Sequence, residues 1–296
     1  MKIQNSKIIF IFLLLLAGLV WGAASQLPDD RFHLVFCDVG QGDAILAVKG
    51  STQLLIDGGP NEKVLTCLSN HLPFWDRQIE LVVATHPEAD HITGLVSVIQ
   101  RYRILQIVSN SLLSESGIFQ KFRAEVVSRQ IPVYSPRAGE EIKIGGIKLK
   151  ILYPLEKLGE EIVWKTLEEP KVLGLSSYTG NFNKTAIVAL LEFGDFQVLL
   201  TGDVGMEEEE KFLPALSEVE VLKVAHHGSK YSTSESLLAT IRPKLAVISV
   251  GANNRYGHPT AEVLSRLQAV GAQIRRTDLE GEIEVISDRK NWHEKK

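Results

Sequence analysis

His86-x-Glu88-x-Asp90-His91 packs two imidazoles and two carboxylates into six residues, directly after the apolar run Leu81-Val82-Val83-Ala84. A turn after a buried strand can fold such side chains onto one point. Imidazole and carboxylate together suit Zn²⁺, Mn²⁺ or Fe²⁺. Two further groups of the same chemistry follow apolar strands in the same way. Asp203 closes Thr201-Gly202-Asp203 after Val198-Leu199-Leu200, and His226-His227 follows Val221 to Ala225 and precedes Gly228-Ser229. Strand ends present their loops at a shared rim, so the three groups can meet there. A Gly-Asp step or a His-His pair alone would be an ordinary turn; with the first cluster they describe a metal site. A divalent cation held there makes water acidic enough to attack at neutral pH, and a second cation would clamp both oxygens of a phosphodiester displacement. The histidine of the pair not used as ligand can protonate a leaving group or bind a non-bridging oxygen. His227 is expected as the ligand and His226 as that second group. His258, beside Asn253, Asn254 and Arg255, either meets the same oxygen or caps a helix at Thr260.

Placing these residues requires strands and helices in alternation. Short apolar runs broken by Gly and Asp read as strands at Phe32 to Cys37, Ala44 to Val48, Gln53 to Ile56 and Leu81 to Ala84. Helical spacing follows at Glu62 to Leu72 and Ile92 to Tyr102. Beyond it come a strand near Ile107, a helix at Glu115 to Arg129 and a strand at Pro132 to Tyr134. Hairpins are expected around Gly145-Gly146 and around Gly194-Asp195. Leu155 to Gly180 has weak periodicity and reads as a long loop or insertion. Strand-then-helix units follow at Glu220 to Ile241 and Leu245 to Val270, and strands at Gln273 to Arg276 and Glu282 to Ile286 close the chain. Paired strands mixed with crossover helices fit two sheets covered by helices.

Several motifs are weaker. Gly40 and Gly42 lack the lysine and following helix of a phosphate loop. Ser229 lacks a nucleophile elbow and is left as a substrate contact. Asp38, Asp43 and Asp57 sit in tight turns, where they satisfy backbone donors or support metal ligands from behind.

Taken together, these residues look like the metal motifs of the metallo-β-lactamase superfamily. More narrowly, Asp38-Val39-Gly40-Gln41-Gly42-Asp43, Leu55-Ile56-Asp57-Gly58-Gly59, Asn183 to Leu190 and Asn253 to Pro259 resemble the C-terminal hydrolase-like domain of ComEC competence proteins. The resemblance runs from about Phe32 to Ile286. It implies an α/β fold, a four-layer αβ/βα sandwich with metal between the sheet edges. By the same resemblance Asp90, His91 and one histidine of the pair would hold one metal. Asp203 would bridge to a second, to which His86 belongs. Glu88 stands where members usually carry histidine, and Asn183 stands near where another is often supplied, so Asn183 becomes a supporting residue. The cofactor expected is one or two divalent ions, Zn²⁺ or Mn²⁺, with oxygen ligands shifting preference from Zn²⁺ toward Mn²⁺ or Mg²⁺.

Composition fits an ordinary globular protein: 45% hydrophobic and 23% charged residues, with net charge −4. From Val221 to Leu279, eight basic residues face three acidic ones, so that segment carries +5 and the remainder −9. This favours an anionic substrate or reflects solvated surface charge. Cys37 and Cys67 make no disulfide framework and are expected as free, buried thiols. Lys2 and Lys7 precede an uncharged apolar run from Ile8 to Ala24, spanning roughly 26 Å as a helix. Residues 1–29 are therefore expected as an anchor in the cytoplasmic membrane, single-pass with the body outside. The alternative is a signal cleaved after Ala24 or Ser25. Residues 30–290 are expected as one hydrolase domain. Three functions compete: a metal-dependent phosphodiesterase acting on DNA, a small-molecule or cell-wall ester hydrolase, and a non-catalytic DNA-binding module. Expected partners are the membrane, single-stranded DNA and a separate DNA-uptake channel protein; oligomeric state is left open.

Overall fold

The structure, a computed structural model, describes residues 2–24, 28–159, 161–165, 167 and 177–295. A helix α1 (Lys2–Ala24) precedes the body. Eight strands form the first half: β1 (Phe32–Phe36), β2 (Ile45–Lys49), β3 (Thr52–Ile56), β4 (Gln78–Ile79), β5 (Leu81–Ala84), β6 (Arg103–Ile104), β7 (Ile107–Ser109) and β8 (Val133–Tyr134). Between them run α2 (Lys63–His71), α3 (Ala89–Arg101) and α4 (Gly117–Ser128). The second half holds β9 (Glu141–Ile144), β10 (Ile147–Tyr153), β11 (Val188–Phe193), β12 (Phe196–Leu200), β13 (Val221–Lys223), β14 (Leu245–Ile248) and β15 (Gln273–Arg276). Its helices are α5 (Met206–Phe212), α6 (Glu235–Ile241), α7 (Ala261–Ala269) and α8 (Thr277–Glu280). Last come β16 (Ile283–Ser287) and β17 (Trp292–Glu294).

One sheet has the order β17-β16-β1-β2-β3-β5-β7-β8 and the other β15-β14-β13-β12-β11-β10-β9; β4 and β6 pair separately. In each, a hairpin half pairs antiparallel and the remainder, β3-β5-β7-β8 or β12-β13-β14-β15, pairs parallel. A parallel step needs a crossover, and α2 to α4 supply it for the first sheet and α5 to α7 for the second. Side chains alternate across each strand. Phe32, Leu34 and Phe36 of β1 meet Ile147, Leu149 and Ile151 of β10 in the core between the sheets. Val35, on the opposite face of β1, joins Leu68, Leu95 and Phe119 in the layer under the helices α2, α3 and α4. Leu199, Leu222 and Ala246 face Leu238 and Leu267 on the other outer side. Four layers result, as the resemblance implied.

Three expectations change. Cys37 and Cys67 are buried but not free: they form a disulfide joining the end of β1 to α2. Sequence spacing could not show that α2 packs back over the end of β1. Within the loop expected from Leu155 to Gly180, Val163 and Trp164 enter the core, with Trp164 edge-on to Phe119 at 5.7 Å and Phe122 at 5.8 Å. Isolated apolar residues on a single helical turn leave no periodicity to read; residues 160, 166 and 168–176 of that loop lie outside the described residues. The expected single-pass anchor with an extracytoplasmic body is overturned: among the described residues no helix is long and apolar enough to cross a membrane. Residues 9–18, the longest run of α1 whose side chains are described, make about 15 Å of helix against a hydrocarbon core of about 30 Å. The charged flank at Lys2 and Lys7 and the cleavage position at Ser25 lie outside those descriptions.

Opening the Cys37–Cys67 loop, 30 residues in span, should lower stability by about 3–4 kcal/mol on the loop-entropy scale. Urea unfolding of the protein with and without reductant, beside Cys67→Ser, measures it; overlapping curves would show that the bond contributes nothing. A second tie fastens β16 to β1 and to the C-terminus. Glu284, buried, binds His33 Nδ1 at 2.7 Å and Lys295 Nζ at 2.8 Å. Burial opposes ionisation of Glu284, but the bonds from His33 and Lys295 win and hold its pKa at about 2. The same bond raises the pKa of His33 against its burial. The carboxylate's contribution is present above its ordinary 4.5 and lost as pH falls through 2. That of His33 is complete below 6.5 and lost as pH rises through its raised value. Glu284→Gln should therefore cost about 1.5–3 kcal/mol near pH 5.5. The loss should shrink at both ends of the pH range in urea titrations; a pH-independent loss would contradict the pairing.

Candidate metal centre

The parallel strands of both sheets end at one edge of the sandwich, and the loops that leave them carry the polar residues. β3 ends in Asp57 and β5 in Thr85-His86. Glu88, extended at φ −88° and ψ 152°, caps α3 and puts Asp90 and His91 in its first turn. β12 leads into Asp203, β13 into His226 and His227. Asp57, His226 and His227 all take left-handed φ values of 56°, 49° and 54°. Each such residue costs on the order of 1–3 kcal/mol, and this kind of strain gathers at functional sites. Gly42 is needed for a different reason. A Cβ there would stand 2.2 Å from the Asp90 carbonyl oxygen, which accepts from Asp43 N at 3.2 Å.

Asp203 Oδ2 lies at the middle. His91 Nε2 and His227 Nε2 each stand 3.4 Å from it, and His226 Nε2 stands 4.0 Å away. Asp90 Oδ2 is 3.5 Å from His227 Nε2. The His86 ring lies 4.1 Å from the His91 ring, tilted by 51°, and His86, His91 and Asp203 each offer a donor atom within 4.8 Å of the others. Although buried, His91 Nε2 and His227 Nε2 have no hydrogen-bond partner. Buried polar atoms are normally paired. Bonds of about 2.0–2.2 Å in a tetrahedron set donors about 3.3–3.6 Å apart, and the His91–Asp203, His227–Asp203 and Asp90–His227 separations match. This donor set fits a divalent cation.

Beside it lies a second, more oxygen-rich group. One amide atom of Asn183 is 3.2 and 3.3 Å from the two Glu88 oxygens and 3.1 Å from His86 Nε2. With nitrogen in that place it donates to all three; with oxygen there, the three donors would converge on a cation. Its other amide atom is 3.4 Å from His226 Nε2.

Behind the donors, each ligand is held from its far side. His91 Nδ1 bonds Asp57 Oδ2 at 2.8 Å, and Asp57 in turn accepts from Thr85 N and Thr85 Oγ1 at 2.8 and 2.7 Å. His227 Nδ1 donates to the Ser249 carbonyl at 2.8 Å. Such bonds fix the ring and aim Nε2 at the centre. Lys223, buried in β13, contacts Asp43 through its ammonium and lies 3.5 Å from Asp203 Oδ1 and 3.0 Å from the Gly202 carbonyl. Burial alone would raise the Asp203 pKa, yet His227, His91 and Lys223 hold it well below the usual range. Asp90 sits at about 2, its burial outweighed by the neighbouring His227 and His91 imidazoles. Both carboxylates are therefore anionic at neutral pH.

The centre opens into a cleft of about 580 Å³ that Asp90, His226, His258, Asn253, Arg255 and Tyr256 help to line. His258 stands 5.7 Å ring to ring from His226, and burial followed by the His226 and His227 charges pushes its pKa down to about 4. Its ring faces His226 rather than capping at Thr260, although its backbone N–H is tied to Asn254 Oδ1 at 3.0 Å. Two expected residues sit elsewhere. Asp38 is a turn residue accepting from Gly40 N at 3.2 Å, with Lys63 as its ionic neighbour. Ser229 is buried outside the cleft lining and accepts from Tyr231 N at 3.4 Å. The basic C-terminal third is largely neutralised: Lys223, Arg242, Lys244, Arg275 and Arg276 each face carboxylates, and Arg255 lines the cleft. Sequence reasoning missed Lys223, Thr85 and Tyr256 as site residues. Lys223 had a signal, a charge inside the otherwise apolar Val221 to Ala225.

Fold and donor set define a metallohydrolase, and the sequence model described as the metallo-beta-lactamase superfamily matches residues 37–252. The chain belongs to that superfamily. Among curated proteins it is 28% identical over 264 residues to Recombination protein 2 of Haemophilus influenzae, covering 88% of this chain and 29% of that protein. It is 28% identical over 277 residues to ComE operon protein 3 of Bacillus subtilis, covering 83% and 32%. The chain thus spans about a third of the length of these relatives. Among solved structures, the metallo-beta-lactamase fold protein YhfI of Bacillus subtilis superposes with TM-score 0.55 at 12% identity, covering 84% of this chain and 96% of that one. The metallo hydrolase Igni18 of Ignicoccus hospitalis superposes with TM-score 0.53 at 15% identity, covering 85% and 98%.

Chelator competition against bound metal should separate ligand from support. Asp57→Asn should weaken metal binding by about 10–100-fold, Asp203→Ala by more, and Asp38→Ala not at all. Equal affinities for all three would remove the cation from this centre.

Proposed function

We propose that this hydrolase is a phosphodiesterase that cuts DNA, working with one or two divalent cations. The observation that carries the reading is the set of buried, partnerless imidazole nitrogens of His91 and His227 around Asp203, open to a cleft whose wall holds Arg255. The competence and recombination names of the relatives support a DNA substrate. The disulfide supports action in an oxidising compartment, where such bonds persist. Asp90, His91, Asp203 and His227 would hold the first cation. His86, Glu88 and Asn183, with Asp203 shared, would hold a second, and their oxygens favour Mn²⁺ over Zn²⁺.

A cation bound here supplies Lewis acidity to water and to a phosphoryl oxygen. This chain's own residues orient and neutralise. Asp57 and the Ser249 carbonyl keep the proton of His91 and His227 on Nδ1, leaving Nε2 to face the centre. Lys223 offsets the charge of Asp43 and Asp203, so that an anionic phosphate can approach. Burial lowers the pKa of His226, so its ring is neutral at pH 7 and can hold a proton on Nε2 for a non-bridging oxygen. His258, likewise neutral, stands beside it at the cleft wall. Arg255 offers a fixed positive charge to a flanking phosphate.

Purified protein with Mn²⁺ should hydrolyse bis(4-nitrophenyl) phosphate and release nucleotides from DNA. Asp90→Ala should lower kcat about a thousandfold or more, as expected when the metal chemistry is lost. Inertness toward both substrates with Mn²⁺, Zn²⁺, Mg²⁺ and Fe²⁺ would sink the reading. The volume of the cleft also suits a small ester; turnover of a chromogenic carboxylic ester with DNA untouched would select that class instead.

A further inference from the structure

Tyr256 is a large aromatic residue left 60% exposed at the mouth of the catalytic cleft. Scattered exposed apolar residues are common and need no explanation, but this ring is held in place by its surroundings. The loop that carries it is pinned from within and from outside. Asn254 Nδ2 donates to the Gly251 carbonyl at 2.9 Å and to the His258 carbonyl at 2.8 Å, and its Oδ1 accepts from His258 N. Gly251 N donates to Gln41 Oε1 at 3.1 Å, and Thr260 N to the Gly228 carbonyl at 2.9 Å.

The ring also has the right neighbours. It lies nearly parallel to His258, 5.8 Å between centroids at 26°, and His258 lies 5.7 Å from His226 at the centre. The Arg255 guanidinium sits 5.9 Å from the Tyr256 ring. Neither neighbour covers it. A run of rings thus leads from the reacting centre outward, edge-on from His226 to His258 and stacked from His258 to Tyr256, with a cation at its far end. On the adjoining loop after His227-Gly228, Tyr231 repeats the pairing: 70% exposed, with Lys230 5.1 Å over its ring. Faces for stacking, each beside a cation for a phosphate, are what an unpaired strand requires. In a duplex the base faces are already occupied by their neighbours, and freeing one costs a few kcal/mol.

We propose that Tyr256 is a stacking platform for an unpaired nucleobase flanking the phosphate held at the centre, so that the site takes single-stranded rather than duplex nucleic acid. This rests on the phosphodiesterase reading and adds strandedness and a base-binding residue to it. Arg255 then meets the phosphate of the stacked nucleotide.

The test is binding, read apart from turnover. Full-length protein with Mn²⁺ is titrated with a hydrolysis-resistant phosphorothioate strand carrying a 2-aminopurine, and with the same strand annealed to its complement. The single strand should bind about tenfold or more tighter than the duplex, with its fluorescence quenched by stacking. Tyr256→Ala should lose about tenfold in affinity and most of the quenching, while Tyr256→Phe retains both. Affinity of Tyr256→Ala within twofold of the parent, equal binding of duplex and single strand, or no binding of the strand by the parent would each overturn the proposal. Parent protein that hydrolyses bis(4-nitrophenyl) phosphate under those outcomes leaves the phosphodiesterase reading standing. Failure of that hydrolysis strikes the reading itself.

Discussion

Carboxylates crowd the centre of this molecule, and the rest of the structure is arranged to tolerate them. Asp43, Asp57 and Asp203 are buried within reach of His91. Buried charge is costly unless paired and hydrogen-bonded. Here Lys223 contacts Asp43 and lies near Asp203, His91 Nδ1 bonds Asp57, and Thr85 closes the bonds of Asp57. Among the buried atoms left without a hydrogen-bond partner are His91 Nε2 and His227 Nε2, and each faces Asp203 Oδ2 at 3.4 Å. The two imidazole nitrogens and the Asp203 carboxylate they face are the natural partners of a cation.

Such a site needs a scaffold that does not yield. Its ligands come from β5, α3, β12 and β13, drawn from both sheets, so the sheets must keep their relative position to within a fraction of an ångström. The core between them is filled by interdigitated large side chains, among them Phe32, Phe36, Phe193 and Phe196, all nearly inaccessible to solvent. Close-packed interiors of this kind transmit displacement rather than absorb it. The Cys37–Cys67 bond adds a covalent tie where the chain leaves β1 for the loop that delivers Asp43. Left-handed turns at Asp57, His226 and His227 hold their strained conformations because the neighbouring strands dictate where the chain must go.

The two donor groups differ in kind. Around His227 nitrogen and carboxylate oxygen are balanced; around Glu88 oxygen dominates, with an amide taking part. Were both groups to hold cations, as proposed, that contrast would give the centre two sides of different metal preference with Asp203 shared. Outward from it, the cleft passes from carboxylates at Glu88 and Asp90 to a guanidinium at Arg255.

Much of the fold was legible. Short apolar runs broken by Gly and Asp placed β1 to β3 and the two hairpins within about three residues, because strands of a buried sheet must be apolar and their turns are not. The ligand clusters were legible too: His86 to His91, Asp203 and His226-His227 each follow a buried strand, and strand ends share a rim. Local sequence could not report pairings between distant segments. The Cys37–Cys67 bond depends on α2 folding back over β1. The partnership of Lys223 with Asp43 joins positions far apart in the chain, so Lys223 read only as one more basic residue. Half of the eight basic residues of the C-terminal third proved to face carboxylates from outside that segment, which linear charge cannot show. Trp164 entered the core without any periodic signal, since one turn is too short to have a period. Residue chemistry and local hydrophobic pattern fixed which groups could bind metal and on which kind of element they sit. Only tertiary packing decided which of them face each other, because that depends on how the two sheets stack and not on any neighbour in sequence.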